Sequence, residues 1–151
     1  EPVPEEVLEK VLYAGRIAPS AMNRQPWRFY VVKDREKLEE LSKIHRWAWF
    51  IAGAPVAIVV TVDGEVSKNH FVEDGSCAAL SMWIAASNLG LASCWVAVYS
   101  ASTTEREEKV REILQIPENY RVICILPLGY PSQEPGKKEI KPSSETVEIV
   151  E

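Results

Sequence analysis

Residues 18–29 have the sequence Ala18-Pro19-Ser20-Ala21-Met22-Asn23-Arg24-Gln25-Pro26-Trp27-Arg28-Phe29. The stretch combines small residues, amides, a hydroxyl and prolines, which is typical of a short, stiff turn. Loops that a rigid scaffold holds in place carry a large share of binding and catalytic residues. We therefore take this loop, which lies between a predicted helix and a predicted strand, as the candidate functional segment.

Regular elements are predicted on both sides of the loop. Before it, Pro4 is followed by Glu5 and Glu6, and proline with acidic residues favours the start of a helix. Apolar residues then recur at helical spacing to about Arg16. After the loop, residues 27–33 are rich in aromatic and β-branched side chains, which predicts a strand.

Apolar patterns beyond residue 33 predict a sheet covered by helices. Residues 56–62 form a near-continuous apolar run with the length of a central strand buried on both faces, and residues 93–99 and 121–128 predict two further strands. Residues 71–89 predict the longest helix, which is apolar on most sides and ends before Gly90. This interleaving predicts an α/β or α+β protein with one sheet covered on both faces.

Two shorter helices are predicted from their capping residues. Asp34 is a candidate N-cap for the first. Its apolar residues are Leu38, Leu41, Ile44 and Ala48. Thr104 and Glu107 match a capping box at the start of the second. Near the end of the chain, residues 146–150 alternate weakly and predict a short edge strand.

Composition and charge argue against several classes of function. The chain has 151 residues, of which 46% are hydrophobic and 26% charged, and its formal net charge is -5. These values are those of an ordinary single-domain protein, and the acidic balance argues against a nucleic-acid partner. No apolar run reaches the roughly 18 residues that span a bilayer. We therefore expect a soluble, cytoplasmic protein without a membrane partner.

The cysteines do not form a recognisable motif. Cys77, Cys94 and Cys124 each lie in an apolar segment, and no pair has the spacing of a metal or redox site. We expect buried free thiols in a reducing compartment, and no metal site.

Four segments carry a family resemblance. They are the loop at residues 19–29, the helix from Val72-Glu73-Asp74 to Leu89-Gly90-Leu91, the strand at 93–96, and the strand end at 127–131. In this order, and over almost the whole chain, they resemble the nitroreductase family of FMN-dependent NAD(P)H oxidoreductases. The resemblance implies an α+β, three-layer fold with a mostly antiparallel central sheet flanked by helices. It also implies that residues 1–151 form a single FMN-binding domain of an intertwined homodimer, with FMN at the subunit interface.

The resemblance also implies which residues contact FMN. They are Pro19, Ser20, Asn23, Gln25, Trp95, Val96, Lys137 and Lys138. Amides suit the donors and acceptors of the flavin's pyrimidine edge, the backbone near Trp95 approaches the reactive part of the ring, and lysines suit the phosphate. From the residues alone, other roles stay open. Asn23 and Gln25 also suit backbone groups of a turn, Trp95 a hydrophobic core, and the lysines a solvated tail.

The two ends of the chain bear on the same site. Most family members have an Arg-Ser-x-Arg segment before the first helix that grips the FMN phosphate, whereas this sequence begins at Glu1, after that position. FMN affinity without that segment is therefore in question. At the other end, the family's C-terminal segment often adds a strand to the partner's sheet. Residues 146–150 are the candidate for that strand.

The activity that the resemblance implies is a ping-pong reaction. NAD(P)H reduces the flavin, and a flat acceptor such as a nitroaromatic or quinone is then reduced. The flavin performs the redox chemistry, so we nominate no side chain as catalytic. Two alternatives stay open: a flavin- or ligand-binding dimer without turnover, and a specialised branch of the family such as a reductive dehalogenase.

Overall fold

A five-stranded sheet forms the middle layer of the computed structural model, which describes residues 1–151. The elements in chain order are α1 (Glu5–Arg16), β1 (Trp27–Val32), α2 (Arg35–Leu41), β2 (Val56–Asp63), α3 (Phe71–Asn88), β3 (Ala92–Ser93), β4 (Val96–Ala97), α4 (Glu105–Leu114), β5 (Tyr120–Gly129) and α5 (Ser143–Thr146). Short 3-10 helices occupy Ala21–Asn23 and Trp49–Gly53. None of the helices combines the length and apolar composition that crossing a membrane needs.

All strand pairs of the sheet are antiparallel. The strand order is β1-β2-β5-β3, and β4 also pairs with β5. The apolar run at residues 56–62 is β2, as predicted, and the strand predicted at residues 121–128 is β5, the other central strand; most residues of both are buried. β1 has a pairing partner on one side only, so one long edge of the sheet is open. The antiparallel α+β prediction is thus confirmed.

Helices cover both faces of the sheet. On one face, α1 and α3 pack over Ile58, Val60 and Leu126. On the other, α2 and α4 pack over Val59 and Ile125. The alternation along β2 supplies both cores because successive side chains of a strand point to opposite faces. The result is the three-layer arrangement that was predicted.

A bulge interrupts the pairing of the two central strands. Val60 faces Cys124 and the next residue, Thr61, faces Val122, so that Ile123 is the extra residue of β5. The carbonyl of Ile123 accepts hydrogen bonds from two successive N–H groups, those of Val98 at 3.2 Å and Tyr99 at 3.1 Å. Bulges bend a strand locally and often lie next to functional sites.

Several sequence predictions need correction. The second helix ends at Leu41, and its expected apolar residues Ile44 and Ala48 are buried from turns rather than from the helix. The strand expected at 93–99 is two short pieces, β3 and β4, because Cys94 and Trp95 leave the ladder between them. Residues 146–150 form no strand: α5 ends at Thr146, and the residues after it are exposed.

The three cysteines differ in exposure. All are free thiols, but Cys124 is buried, Cys77 is half-buried and Cys94 is exposed. The expectation of buried thiols is therefore wrong for Cys94, because this residue lies in the irregular link between β3 and β4. Burial raises the pKa of the Cys124 thiol far above its usual range, which keeps that thiol protonated and unreactive.

Candidate functional site

The loop at residues 18–29 has an unusual backbone. Met22, Asn23 and Gln25 all have positive φ angles, of 56°, 53° and 50°. The left-handed region costs an L-residue roughly 1–2 kcal/mol, so three such residues within four positions need compensating contacts. One is local: the Gln25 N–H donates to Ser20 Oγ at 2.9 Å. The loop is therefore a tightly folded turn, as its composition predicted.

The two predicted amide ligands of the loop touch each other. Gln25 Nε2 donates to both the carbonyl oxygen and the side-chain Oδ1 of Asn23, at 3.3 Å each. The amide nitrogen of Asn23 and the amide oxygen of Gln25 keep their hydrogen-bonding capacity for a ligand. The alternative role of these amides, which is to satisfy backbone groups of a turn, is thus partly confirmed, because Gln25 donates to the Asn23 carbonyl. Both residues remain exposed.

A buried carboxylate on α3 accepts a hydrogen bond from the backbone of the loop. Asp74, in the first turns of α3, is only 3% exposed. Its Oδ1 accepts a hydrogen bond from the Ala21 N–H at 2.8 Å, and its Oδ2 accepts one from Ser67 Oγ at 2.6 Å. Sequence reasoning assigned this residue no role beyond a family-like helix start. The available signal was an acidic residue in the first part of an otherwise apolar helix.

The predicted ring-contacting residues Trp95 and Val96 lie at the end of the β3–β4 link and at the start of β4. Trp95 is half-buried, packs against the α1–α3 core, and its ring lies 6.5 Å from that of Trp83. Val96 is buried in the opposite core and begins β4. Both residues thus have structural roles, and the link they form is fixed by the core on each side of the sheet.

A histidine fixes the same strand from the other side. His45 Nε2 lies 3.0 Å from the carbonyl oxygen of Ala97, and His45 Nδ1 accepts from the Trp47 N–H at 3.2 Å. This pair of contacts assigns the proton to Nε2. Burial, assisted by the charge of Arg106, lowers the pKa of His45, although the Ala97 carbonyl opposes that shift.

The predicted capping box at α4 is wrong. Thr104 makes no capping hydrogen bond to the backbone, and its hydroxyl donates to Glu108 instead. Glu107 turns inward, where its fully buried carboxylate accepts two hydrogen bonds from Arg121, at 2.9 Å each, and one from the Val122 N–H at 3.0 Å. The charge pair with β5 outweighs a cap at an exposed helix end.

That ion pair reaches the strand region near the predicted ring contacts. The Arg121 guanidinium lies 4.6 Å from the centre of the Phe71 ring and 5.5 Å from that of Tyr99. The two rings meet edge to face, 5.6 Å apart. Cation–π contacts of this kind orient both partners, so Glu107 and Arg121 hold the segment that follows β4.

The predicted contact residues do not share one cavity. A cavity of about 740 Å³ beside Ser93 and Cys94 is lined by Trp49, Phe50 and Tyr130 but by no residue of the loop. Ser93 Oγ is buried there without a hydrogen-bond partner. The groove that contains Gln25 lies beside α1 and β1 and includes no residue of β4.

The predicted phosphate ligands are placed on an exposed segment. Lys137 and Lys138 follow β5 in a stretch without regular structure, and both side chains are exposed and form no ion pair. The loop and the β3–β4 link line no common cavity. The segment just before these lysines, by contrast, lines a cavity together with Ser93 at the end of β3.

Comparisons with known proteins agree on one family. The model of the nitroreductase family matches residues 1–51 and 46–130. A protein of Methanothermobacter thermautotrophicus, provisionally named NADH dehydrogenase/NAD(P)H nitroreductase, is 38% identical over 140 residues, covering 91% of this chain and 72% of the relative. Iodotyrosine deiodinase 1 of Rattus norvegicus is 28% identical over 175 aligned positions, covering 93% of this chain and 60% of the deiodinase.

A solved structure shows the same fold. The FMN-dependent nitroreductase of Clostridium difficile R20291 superposes with a TM-score of 0.86 and 36% identity, covering 99% of this chain and 89% of the other. The similarity includes both helical layers and the sheet, because almost no part of the chain lies outside the superposed region.

Proposed function

The chain belongs to the nitroreductase family, and we propose that it is an FMN-dependent oxidoreductase that takes hydride from NAD(P)H and reduces a flat electron acceptor. The observation that carries the proposal is the loop at residues 19–25. Its backbone is held in an unfavourable conformation, and its amides face outward. Strained, rigid segments of this kind concentrate at ligand-binding sites.

The chemistry of the residues fits FMN. Asn23 keeps a free amide donor and Gln25 a free amide acceptor, which matches the mixed donor and acceptor pattern of the flavin's pyrimidine edge. Ser20 accepts from the Gln25 N–H through its oxygen, so its own proton remains available. Lys137 and Lys138 are unpaired cations, and charge-assisted hydrogen bonds are what a phosphate needs.

The protein's part in the reaction is to bind and orient. FMN, when bound, supplies the two-electron chemistry, first with NAD(P)H and then with the acceptor in a ping-pong sequence. The β3–β4 link presents backbone groups near Trp95 and Val96, and the two cores fix their positions. No side chain needs to donate or accept a proton in this scheme, and we assign none as catalytic.

The proposed enzyme is a homodimer with FMN between its subunits. The loop and the β3–β4 link line no common cavity within one chain, and a second copy would supply Pro19 and Ser20 from across the interface. The outer face of α3 exposes Leu80 and Ile84 by about half, which suits a protein interface. β1 leaves one edge of the sheet unpaired, and an unpaired edge can accept a further strand. The exposed apolar residues at 147–150 of a second copy could supply that strand.

Two exposed indoles, of which that of Trp49 lines the cavity beside Ser93, suit a flat acceptor. Trp47 and Trp49 are 63% and 70% exposed, and Arg46 lies 4.4 Å from the centre of the Trp47 ring. Exposed indoles stack on planar molecules. We propose a nitroaromatic, quinone or related compound as acceptor. The free thiols agree with a reducing, cytoplasmic compartment.

Reductive dehalogenation is the second candidate. The similarity to iodotyrosine deiodinases favours it, but their aligned region of 175 positions is longer than this chain of 151 residues. Those relatives therefore carry insertions that this chain lacks. We place the nitroreductase-type reaction first for that reason. Reduction of a halotyrosine faster than of a quinone or nitroaromatic would reverse this order.

The test is an absorbance spectrum of the protein before and after incubation with FMN and desalting. We expect flavin bands at about one FMN per chain. Anaerobic addition of NADH or NADPH should bleach those bands, and a quinone should restore them. Retained FMN with no bleaching by either donor would favour the non-catalytic flavin-binding dimer. A chain that retains no flavin would contradict the proposal.

A further inference from the structure

We propose that Asp74 is the positioning residue of the flavin-contacting loop: its buried carboxylate fixes the backbone at Ala21 and thereby sets where Ser20 and Asn23 point. The inference deepens the proposed function and rests on it, because it assigns how the loop is aligned for FMN. It adds a residue that lies outside the predicted contact set.

Asp74 uses both carboxylate oxygens on its neighbours. Oδ1 accepts from the Ala21 N–H at 2.8 Å, and Oδ2 accepts from the Ser67 hydroxyl at 2.6 Å. Asp74 and Ser67 are 3% and 1% exposed. No lysine or arginine forms an ion pair with this carboxylate. Hydrogen bonds and the N-terminal end of α3 therefore stabilise its charge.

The Ala21 contact is the sole hydrogen bond that joins residues 19–25 to another part of the chain. The remaining hydrogen bonds of this segment are internal, such as those from Asn23 N–H to the Ser20 carbonyl and from Gln25 N–H to Ser20 Oγ. Internal bonds preserve the shape of the turn but do not fix its orientation. The bond to Asp74 connects the middle of the turn to a different element, 53 positions away in sequence, whereas the next such connection lies past the turn, where the Asp63 N–H donates to the Pro26 carbonyl at 2.9 Å.

The anchor itself is rigid. Gly75, the next residue, lets α3 approach the sheet so closely that a Cβ there would lie 2.5 Å from Ile123 and 2.9 Å from Val62. The same helix exposes Leu80 on the face that we assign to the partner. Asp74 therefore fixes the position of the loop relative to α3, the helix that would contact the second subunit.

Three variants separate positioning from stability. Asp74→Ala removes both contacts. Asp74→Asn keeps an oxygen for the Ala21 N–H and offers an amide to Ser67 Oγ, so it should rescue the loop. Val110→Ala removes a fully buried side chain from the opposite core and serves as the control for lost stability, since it has no contact with the loop.

Two measurements decide the proposal. The first is the exchange rate of the Ala21 amide hydrogen in flavin-free protein, which should rise roughly ten- to hundredfold in Asp74→Ala. The second is the dissociation constant of FMN with the visible circular dichroism of the bound flavin. We expect the constant to rise about tenfold and the dichroism to change in Asp74→Ala, with Asp74→Asn close to the wild type. Val110→Ala should change neither.

The outcomes that contradict the inference are distinct from failure of the proposed function. Unchanged Ala21 exchange and unchanged flavin dichroism in Asp74→Ala would overturn it, as would equal changes in Val110→Ala. A wild-type chain without FMN affinity would contradict the proposed function. In that case the Ala21 exchange rates would still show whether Asp74 fixes the loop.

Discussion

His45 holds Ala97 through a hydrogen bond of 3.0 Å from Nε2 to the backbone carbonyl, and it accepts the Trp47 N–H on Nδ1. One imidazole thus connects the backbone at Trp47 to β4. The arrangement requires the neutral ring, since a protonated imidazole has no acceptor for the Trp47 N–H.

The lowered pKa of His45 predicts how stability depends on pH. As the pH falls, the imidazole takes up its proton first in the unfolded chain, where its pKa is near 6.5, and only at lower pH in the folded chain. The stabilisation of the fold by the neutral His45 ring is therefore complete above about pH 6.5 and decreases as the pH falls through the lower folded pKa. His45→Gln should remove this dependence in urea unfolding between pH 5 and 7, whereas His70→Gln, at the surface, should retain it. Parallel pH profiles for wild type and His45→Gln would contradict the assignment.

Arg121 is predicted to stabilise the fold by neutralising a buried charge. Glu107 is 0% exposed and Arg121 is 28% exposed, so Arg121→Met leaves the carboxylate with the longer 3.4 Å contact to Arg111. We expect the free energy of unfolding to fall by about 3 kcal/mol. The double variant Glu107→Met/Arg121→Met should recover part of that loss. A double variant less stable than Arg121→Met would show that the pair is not coupled in this way.

Gly75 is predicted to be required for the packing of α3 on the sheet. A methyl group at this position would meet Ile123 at 2.5 Å and Val62 at 2.9 Å, whereas one at Gly53 would meet nothing within 4 Å. Gly75→Ala should lower the unfolding free energy by about 1–3 kcal/mol. Gly53→Ala is the matched control and should change it by less than about 0.5 kcal/mol. Equal thermal midpoints for the two variants would contradict the packing argument.

Local patterns in the sequence predicted the main elements because each pattern has a local cause. The apolar period of α1, the capping aspartate Asp34 and the continuous apolar run of β2 act over a few residues, and the structure confirms them. The antiparallel arrangement came from the family resemblance of ordered segments rather than from periodicity. Periodicity does not determine strand order, since it describes one strand at a time.

Predictions failed where a distant partner decides the local structure. Glu107 matched a capping box, but Arg121 on β5 draws its carboxylate into the core. The hydrogen bond between Ala21 and Asp74 joins positions 53 apart in sequence, and no short sequence motif predicts such a contact. The roles of Asn23 and Lys138 toward FMN stay predictions.

Lys137 and Lys138 are predicted to bind the phosphate of FMN. Changing each to glutamine should raise the dissociation constant of FMN by up to about tenfold, because a charge-assisted contact to the phosphate is lost. Riboflavin lacks the phosphate, so its affinity should stay unchanged in the same variants. Lys141→Gln, on the same exposed segment, is the control. Equal losses for FMN and riboflavin would place these lysines elsewhere than at the phosphate.

The C-terminal residues are predicted to stabilise the dimer by covering the partner's open sheet edge. Val147, Ile149 and Val150 are exposed in the single chain, and exposed apolar side chains gain roughly 25 cal/mol per Å² on burial. Deletion of residues 143–151 should therefore shift the protein toward monomer in analytical ultracentrifugation and weaken FMN binding in parallel. Leu80→Glu on α3 should have the same two effects, because it charges the other proposed contact face. A deletion variant that stays dimeric with full FMN content would show that the tail does not complete the site. The α3 face alone would then hold the subunits together.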